Sequence, residues 1–101
     1  MLLLVCHSAP GETAVREWTD MALMAALFQR DPVLLLLGPG ARNLFDPQTP
    51  LIELAELPVS PCRVDAAELP EDAGAPALAH EILDAHDIRA LFAEADQVVT
   101  L

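Results

Sequence analysis

The sequence predicts an α/β fold, a three-layer sandwich around a five-stranded, mostly parallel sheet. Three observations predict it. Met1–Cys6 (MLLLVC) and Pro32–Leu37 (PVLLLL) are unbroken apolar runs rather than alternating ones, the pattern of strands covered on both faces. Each run enters a loop with glycine or proline and then a stretch of helical spacing, so strand, helix and strand follow one another as in a βαβ unit. Finally, 101 residues make one domain, 1–101, and 53% hydrophobic content supplies its core.

The elements follow in order. After Met1–Cys6 and the loop Ser8-Ala9-Pro10-Gly11, a helix begins near Glu12 or Thr13 and runs to Phe28. Ala14, Trp18, Met21, Ala22, Ala25 and Phe28 recur at helical spacing and are expected to face the sheet. Arg16, Glu17, Thr19 and Asp20 form a polar face for the first half only. From Met21 to Phe28 (MALMAALF) the helix is apolar all round, and Met21, Leu23, Met24 and Leu27 are the candidate interface with another subunit. Asp31-Pro32 ends the helix, because the residue before proline avoids the helical region. The second strand enters Gly38-Pro39-Gly40, a turn before a short helical segment at Ala41–Phe45.

A breaker-rich stretch, Asp46-Pro47-Gln48-Thr49-Pro50, leads to a short helix at Leu51–Leu57. The third strand is expected at about Ser60–Asp65, irregular or at an edge because it contains Pro61. Ala66–Leu69 starts a helical turn, and Glu71–Pro76 is expected to be an acidic loop and the most mobile segment. His80–Leu83 reads as the fourth strand, with a helix as its rival. Strand is preferred because Asp84 with Asp87 three residues on resembles an N-cap and acidic first turn. A helix at Ala85–Ala95 then buries Ile88, Leu91, Phe92 and Ala95, and Gln97–Leu101 closes the sheet.

Charge excludes several classes of function. Sixteen acidic residues stand against five arginines and no lysine, a net charge of −11. Such a chain is disfavoured on phosphate backbones and on anionic membranes, so neither nucleic acid nor membrane is an expected direct partner. The apolar start lacks a basic region and is too short for a secretion signal, and no run reaches the ~18 apolar residues of a membrane span. Cys6 and Cys62 fit neither a disulfide framework nor a zinc site. The expectation is a cytoplasmic protein with reduced thiols and no bound cofactor or metal.

The order and spacing of short motifs supply a family likeness. Ser8-Ala9-Pro10-Gly11, then Arg16-Glu17 and Asp20, an apolar strand, and Gly40-x-x-x-Leu44-Phe45 resemble the DsrE/DsrF-like sulfur-relay proteins, nearest to the TusC/DsrF branch. Leu83-Asp84, Ile88, Leu91 and Ala95-Asp96-Gln97-Val98-Val99 are similar to that family's last helix and strand. The resemblance implies small subunits that assemble with copies of themselves or with DsrE-like/TusB-like and TusD-like partners. It also implies persulfide sulfur passed between cysteines, for tRNA thiolation or for sulfur oxidation. The family's carrier cysteine heads a turn after the third strand. The position matching it here is Asp65, with Cys62 three residues earlier.

Cys62 is therefore the candidate sulfur-carrying residue. Its neighbour Arg63 would favour the thiolate and Asp65 would oppose it. Against this stands its reading as a small buried hydrophobe. Cys6, at the end of the first strand, is expected to pack. Whether the two thiols meet depends on how near the first and third strands lie. Ser8, with His7, His80 and His86, forms no recognisable nucleophilic arrangement, and Gly38-Pro39-Gly40 is no phosphate loop. Three functions compete: an accessory subunit of a sulfur-relay complex, a sulfurtransferase working through Cys62, and a stand-alone interaction domain.

Overall fold

The computed structural model describes residues 1–57, 61–69 and 74–101. Five strands form one sheet: β1 (Leu2–Cys6), β2 (Val33–Leu36), β3 (Cys62–Asp65), β4 (His80–Leu83) and β5 (Gln97–Thr100), in the order β4-β3-β2-β1-β5. All four neighbouring pairs are parallel. Two α-helices, α1 (Thr13–Leu27) and α2 (Ala85–Glu94), cover it together with 3-10 segments at Gly38–Phe45, Pro50–Leu54 and Ala66–Glu68.

The apolar runs become the middle of the sheet. In β1 and β2, Leu3, Leu4, Val5, Leu34, Leu35 and Leu36 are all buried. Alternate residues face opposite layers. On one face, called the front here, Leu4, Cys6, Leu34, Leu36, Cys62 and Val64 pack with Val15, Trp18 and Ala22 of α1 and with Ala41, Leu44, Leu51 and Leu54 of the 3-10 segments. On the back, Leu3, Val5 and Leu35 pack with Ile88 of α2. Because β4 and β5 are the two edges, α2 crosses the whole back of the sheet to join them.

The inward stripe of α1 differs from its expected phase. Val15, Trp18, Thr19, Ala22 and Ala25 are buried, Ala14 is half-buried, and Phe28 is exposed. Thr19 can turn inward because its hydroxyl donates to the Val15 carbonyl one turn back, at 2.8 Å. Phe28 is exposed for a geometric reason. A 15-residue helix is about 22 Å long, whereas the five-residue β1 spans about 17 Å, so the last turn overhangs the sheet. The helix then closes with a Schellman turn: Gln29 N–H donates to Ala26 C=O (3.1 Å) and Arg30 N–H to Ala25 C=O (2.8 Å), with Gln29 at φ 58°.

Two further expectations change. β3 is an inner strand between β2 and β4, not an edge. Its pairing starts at Cys62, one residue after Pro61, so the missing proline N–H removes nothing from the ladder. In α2 only Ile88 is fully buried, Leu91 and Ala95 are half-buried, and Phe92 remains 38% exposed. The Asp84 cap forms as its spacing predicts, its carboxylate accepting from Asp87 N–H at 2.8 Å. Residues 58–60 and 70–73, on which the start of the third strand and the first part of the acidic loop were placed, lie outside the described residues.

Candidate functional site

Both thiols lie on the front face and both are fully buried. Cys6 ends β1 at the sheet's carboxyl edge. Cys62 opens β3, and the β2–β3 register sets it level with Leu34, in the middle of the sheet. β2 runs between them, so two strand spacings separate their backbones by about 9.6 Å or more. Cysteines whose Cα atoms are over about 7 Å apart cannot be bridged without moving backbone. The two thiols share a face without forming a disulfide pair.

The packing sets their chemistry. Burial first, and then the neighbouring charge of Cys6, push the Cys62 thiol up to about 12, with Arg63 opposing as the smallest of the three effects. The weak effect of Arg63 follows from the strand: adjacent residues point to opposite faces, and Arg63 reaches Glu81 on the back at 3.5 Å. Cys6 is likewise raised, mainly by burial, with the Ser8 backbone opposing and Glu12 adding. At neutral pH both side chains are thiols, whereas sulfur exchange needs a thiolate.

The register reveals one neighbour that the sequence reading missed. Cys62 pairs directly with His80 across the β3–β4 ladder, so the two side chains emerge side by side on the front face. Eighteen residues separate them in sequence, and only the strand register brings them together. His80 is half-buried, and its ring meets Phe45 edge-on at 6.3 Å. His7 and His86 are exposed.

The end of β1 is closed by backbone. A Cβ on Gly40 would lie 2.0 Å from the Cys6 carbonyl oxygen, so only glycine fits there. Gly38, at φ 56°, lies beneath the His7 ring. Buried Asn43 donates through Nδ2 to the carbonyls of Ser8 (2.8 Å) and Gly40 (3.1 Å), with Cys6 Sγ at 3.9 Å. The Gly38–Phe45 segment thus acts as a lid on Cys6. Asp65, where the family likeness would have a cysteine, caps the next 3-10 segment by accepting from Ala67 N–H at 3.0 Å.

The candidate interface divides. Met21 and Leu23 are half-buried against the front core, while Met24 (58%), Leu27 (73%) and Phe28 (74%) are open to solvent on the overhanging turn. A separate cleft of ≈ 430 Å³ at the start of α1 is lined by Glu12, Arg16, Asp46 and Gln48 among others, and by neither cysteine. Arg16 there is held by Asp20 (2.6 Å) and Glu53.

Among the described residues no helix is long and apolar enough to cross a membrane. The structure is an α/β fold with an all-parallel five-stranded sheet, two buried thiols and an exposed apolar helix end. No protein-family model matches the chain, and no curated protein matches it. The likeness to DsrE/DsrF-like proteins rests on the motifs quoted above.

Proposed function

We propose that this chain is an accessory subunit of a cytoplasmic sulfur-relay complex, similar to the TusC/DsrF branch, and that it works by assembly rather than by carrying sulfur. Its partners would be copies of itself or DsrE-like/TusB-like and TusD-like subunits. The observation that carries the reading is the overhanging end of α1, where Met24, Leu27 and Phe28 are exposed together. Uncovered apolar surface of this kind is stabilised by a partner. The burial of both thiols fits a subunit that leaves sulfur chemistry to another chain.

A second reading keeps Cys62 as persulfide carrier, favoured by the adjacency of His80. It requires the front layer packed over Cys62 to open and expose the thiol. Sedimentation velocity over micromolar concentrations tests the first reading on wild type and Leu27→Glu. Self-association, or association with a supplied DsrE-like partner, that falls at least about tenfold in the variant supports it. A protein monomeric in both settings contradicts it.

A further inference from the structure

A second surface, independent of α1, lies at the β5 edge. Leu101 N–H donates to Val5 C=O at 2.9 Å, Leu101 C=O accepts from His7 N–H at 2.7 Å, and Gln97 N–H donates to Met1 C=O at 3.3 Å. Backbone groups alternate sides along a strand, so Gln97, Val99 and Leu101 bond to β1 while Val98 and Thr100 direct N–H and C=O to the open side. No other strand lies beyond β5 among the described residues. Val98 is 42% exposed and Thr100 is exposed.

Natural edges are guarded by charge, proline, bulges or cover. β5 (Gln97-Val98-Val99-Thr100) has no charge and no proline, and two of its four residues are valine. The opposite edge, β4, carries His80 and Glu81, the latter paired with Arg63. In a chain of net charge −11, two copies can approach closely only where acids are absent.

We propose that β5 pairs antiparallel with β5 of a second copy, about a two-fold axis through Val99, joining two sheets into one of ten strands. In this register each Val98 faces the copy's Thr100, and the four outward N–H groups meet the four outward C=O groups. Val99 faces its own copy, which brings β-branched side chains together. Asp96 falls beyond the end of the pairing. The two Asp96 side chains are then about 20 Å apart, past the Debye length at physiological salt. Other registers either bring Asp96 opposite Thr100 or leave outward groups unpaired.

Backbone amide exchange by NMR on the full chain, at low and high protein concentration, tests this. Val99, bonded to β1, serves as the internal measure that the sheet is intact. The expected result is that Val98 and Thr100 exchange at least about tenfold more slowly at high concentration, and that added salt strengthens the effect. Thr100→Pro removes one outward donor and Val98→Lys adds edge charge; either abolishes the slowing while Val99 stays protected, and Leu27→Glu leaves it unchanged. Free exchange of Val98 and Thr100 at high concentration with Val99 protected overturns the proposal, whatever the α1 surface does. Slowing that survives in both β5 variants overturns it too.

Discussion

The two faces of the sheet are covered very differently. On the front, one long helix and two 3-10 segments bury Trp18, both cysteines and Asn43 completely. On the back, a ten-residue helix covers Leu3, Val5 and Leu35, buries only Ile88 of its own side chains, and leaves Phe92 and Val98 in contact with water. The front layer is thick because it is built twice: α1 covers the sheet from the β1 side and the segments between β2 and β3 from the other. Among the described residues the back is covered by the β4–β5 connection, whose helix must run from edge to edge. Stability should therefore reside in the front, and the open surfaces should lie where cover runs out.

That contrast can be broken most directly with two aromatic residues. Trp18→Ala empties a closed site and is expected to cost about 3–5 kcal/mol in chemical denaturation, while Phe92→Ala on the back should cost about 1 kcal/mol or less. Equal costs would refute the asymmetry. Gly40→Ala is expected to destabilise by about 3 kcal/mol or more, because its new methyl group meets the Cys6 main chain rather than a side chain that could yield.

Alkaline pH sharpens the comparison through the buried thiols. Cys62 is raised from 9.0 to about 12 in the folded chain. A raised folded-state pKa gives stability that is complete below pH 9 and is lost as pH climbs toward 12. The sequence has neither lysine nor tyrosine, so few groups other than the thiols titrate in that window. Wild-type stability should fall there by up to about 1.4 kcal/mol per pH unit through Cys62, and the raised Cys6 acts in the same direction. Cys62→Ala should show a shallower fall, and parallel slopes would mean that Cys62 is not held neutral by the front core.

The smallest effect concerns the end of α1. Gln29 occupies the left-handed position of the Schellman turn, at φ 58°, where glycine is preferred. Gln29→Gly should raise stability by about 0.5–1 kcal/mol in thermal or chemical denaturation. No gain would indicate that the turn relaxes in solution.

Much of the fold was legible because buried parallel strands announce themselves as apolar runs, as in Met1–Cys6 and Pro32–Leu37. The Asp84 cap set a boundary through local chemistry, whereas α1 closes in the turn at Gln29, ahead of Asp31-Pro32, and Gly38-Pro39-Gly40 forms the first turn of the 3-10 segment instead of preceding it. What stayed hidden depends on neighbours distant in sequence. Thr19 looked polar, yet it satisfies its hydroxyl within its own helix and turns inward. Phe28 continues an apolar stripe, but the sheet is too short to receive it. Pro61 pointed to an edge, although it sits just outside the ladder. The site was less legible still: the burial of Cys62, its adjacency to His80 and the separation of the thiols by β2 all follow from strand order and register.

The most direct test is intact-mass spectrometry of the folded chain after incubation with a persulfide donor, on wild type, Cys62→Ser and Cys6→Ser. With both thiols buried and protonated, the native wild type should take up no sulfur and should become labelled only once unfolded. One sulfur atom gained by the native chain, removed by a reducing agent and lost in Cys62→Ser alone, would contradict the accessory reading and make Cys62 a working carrier.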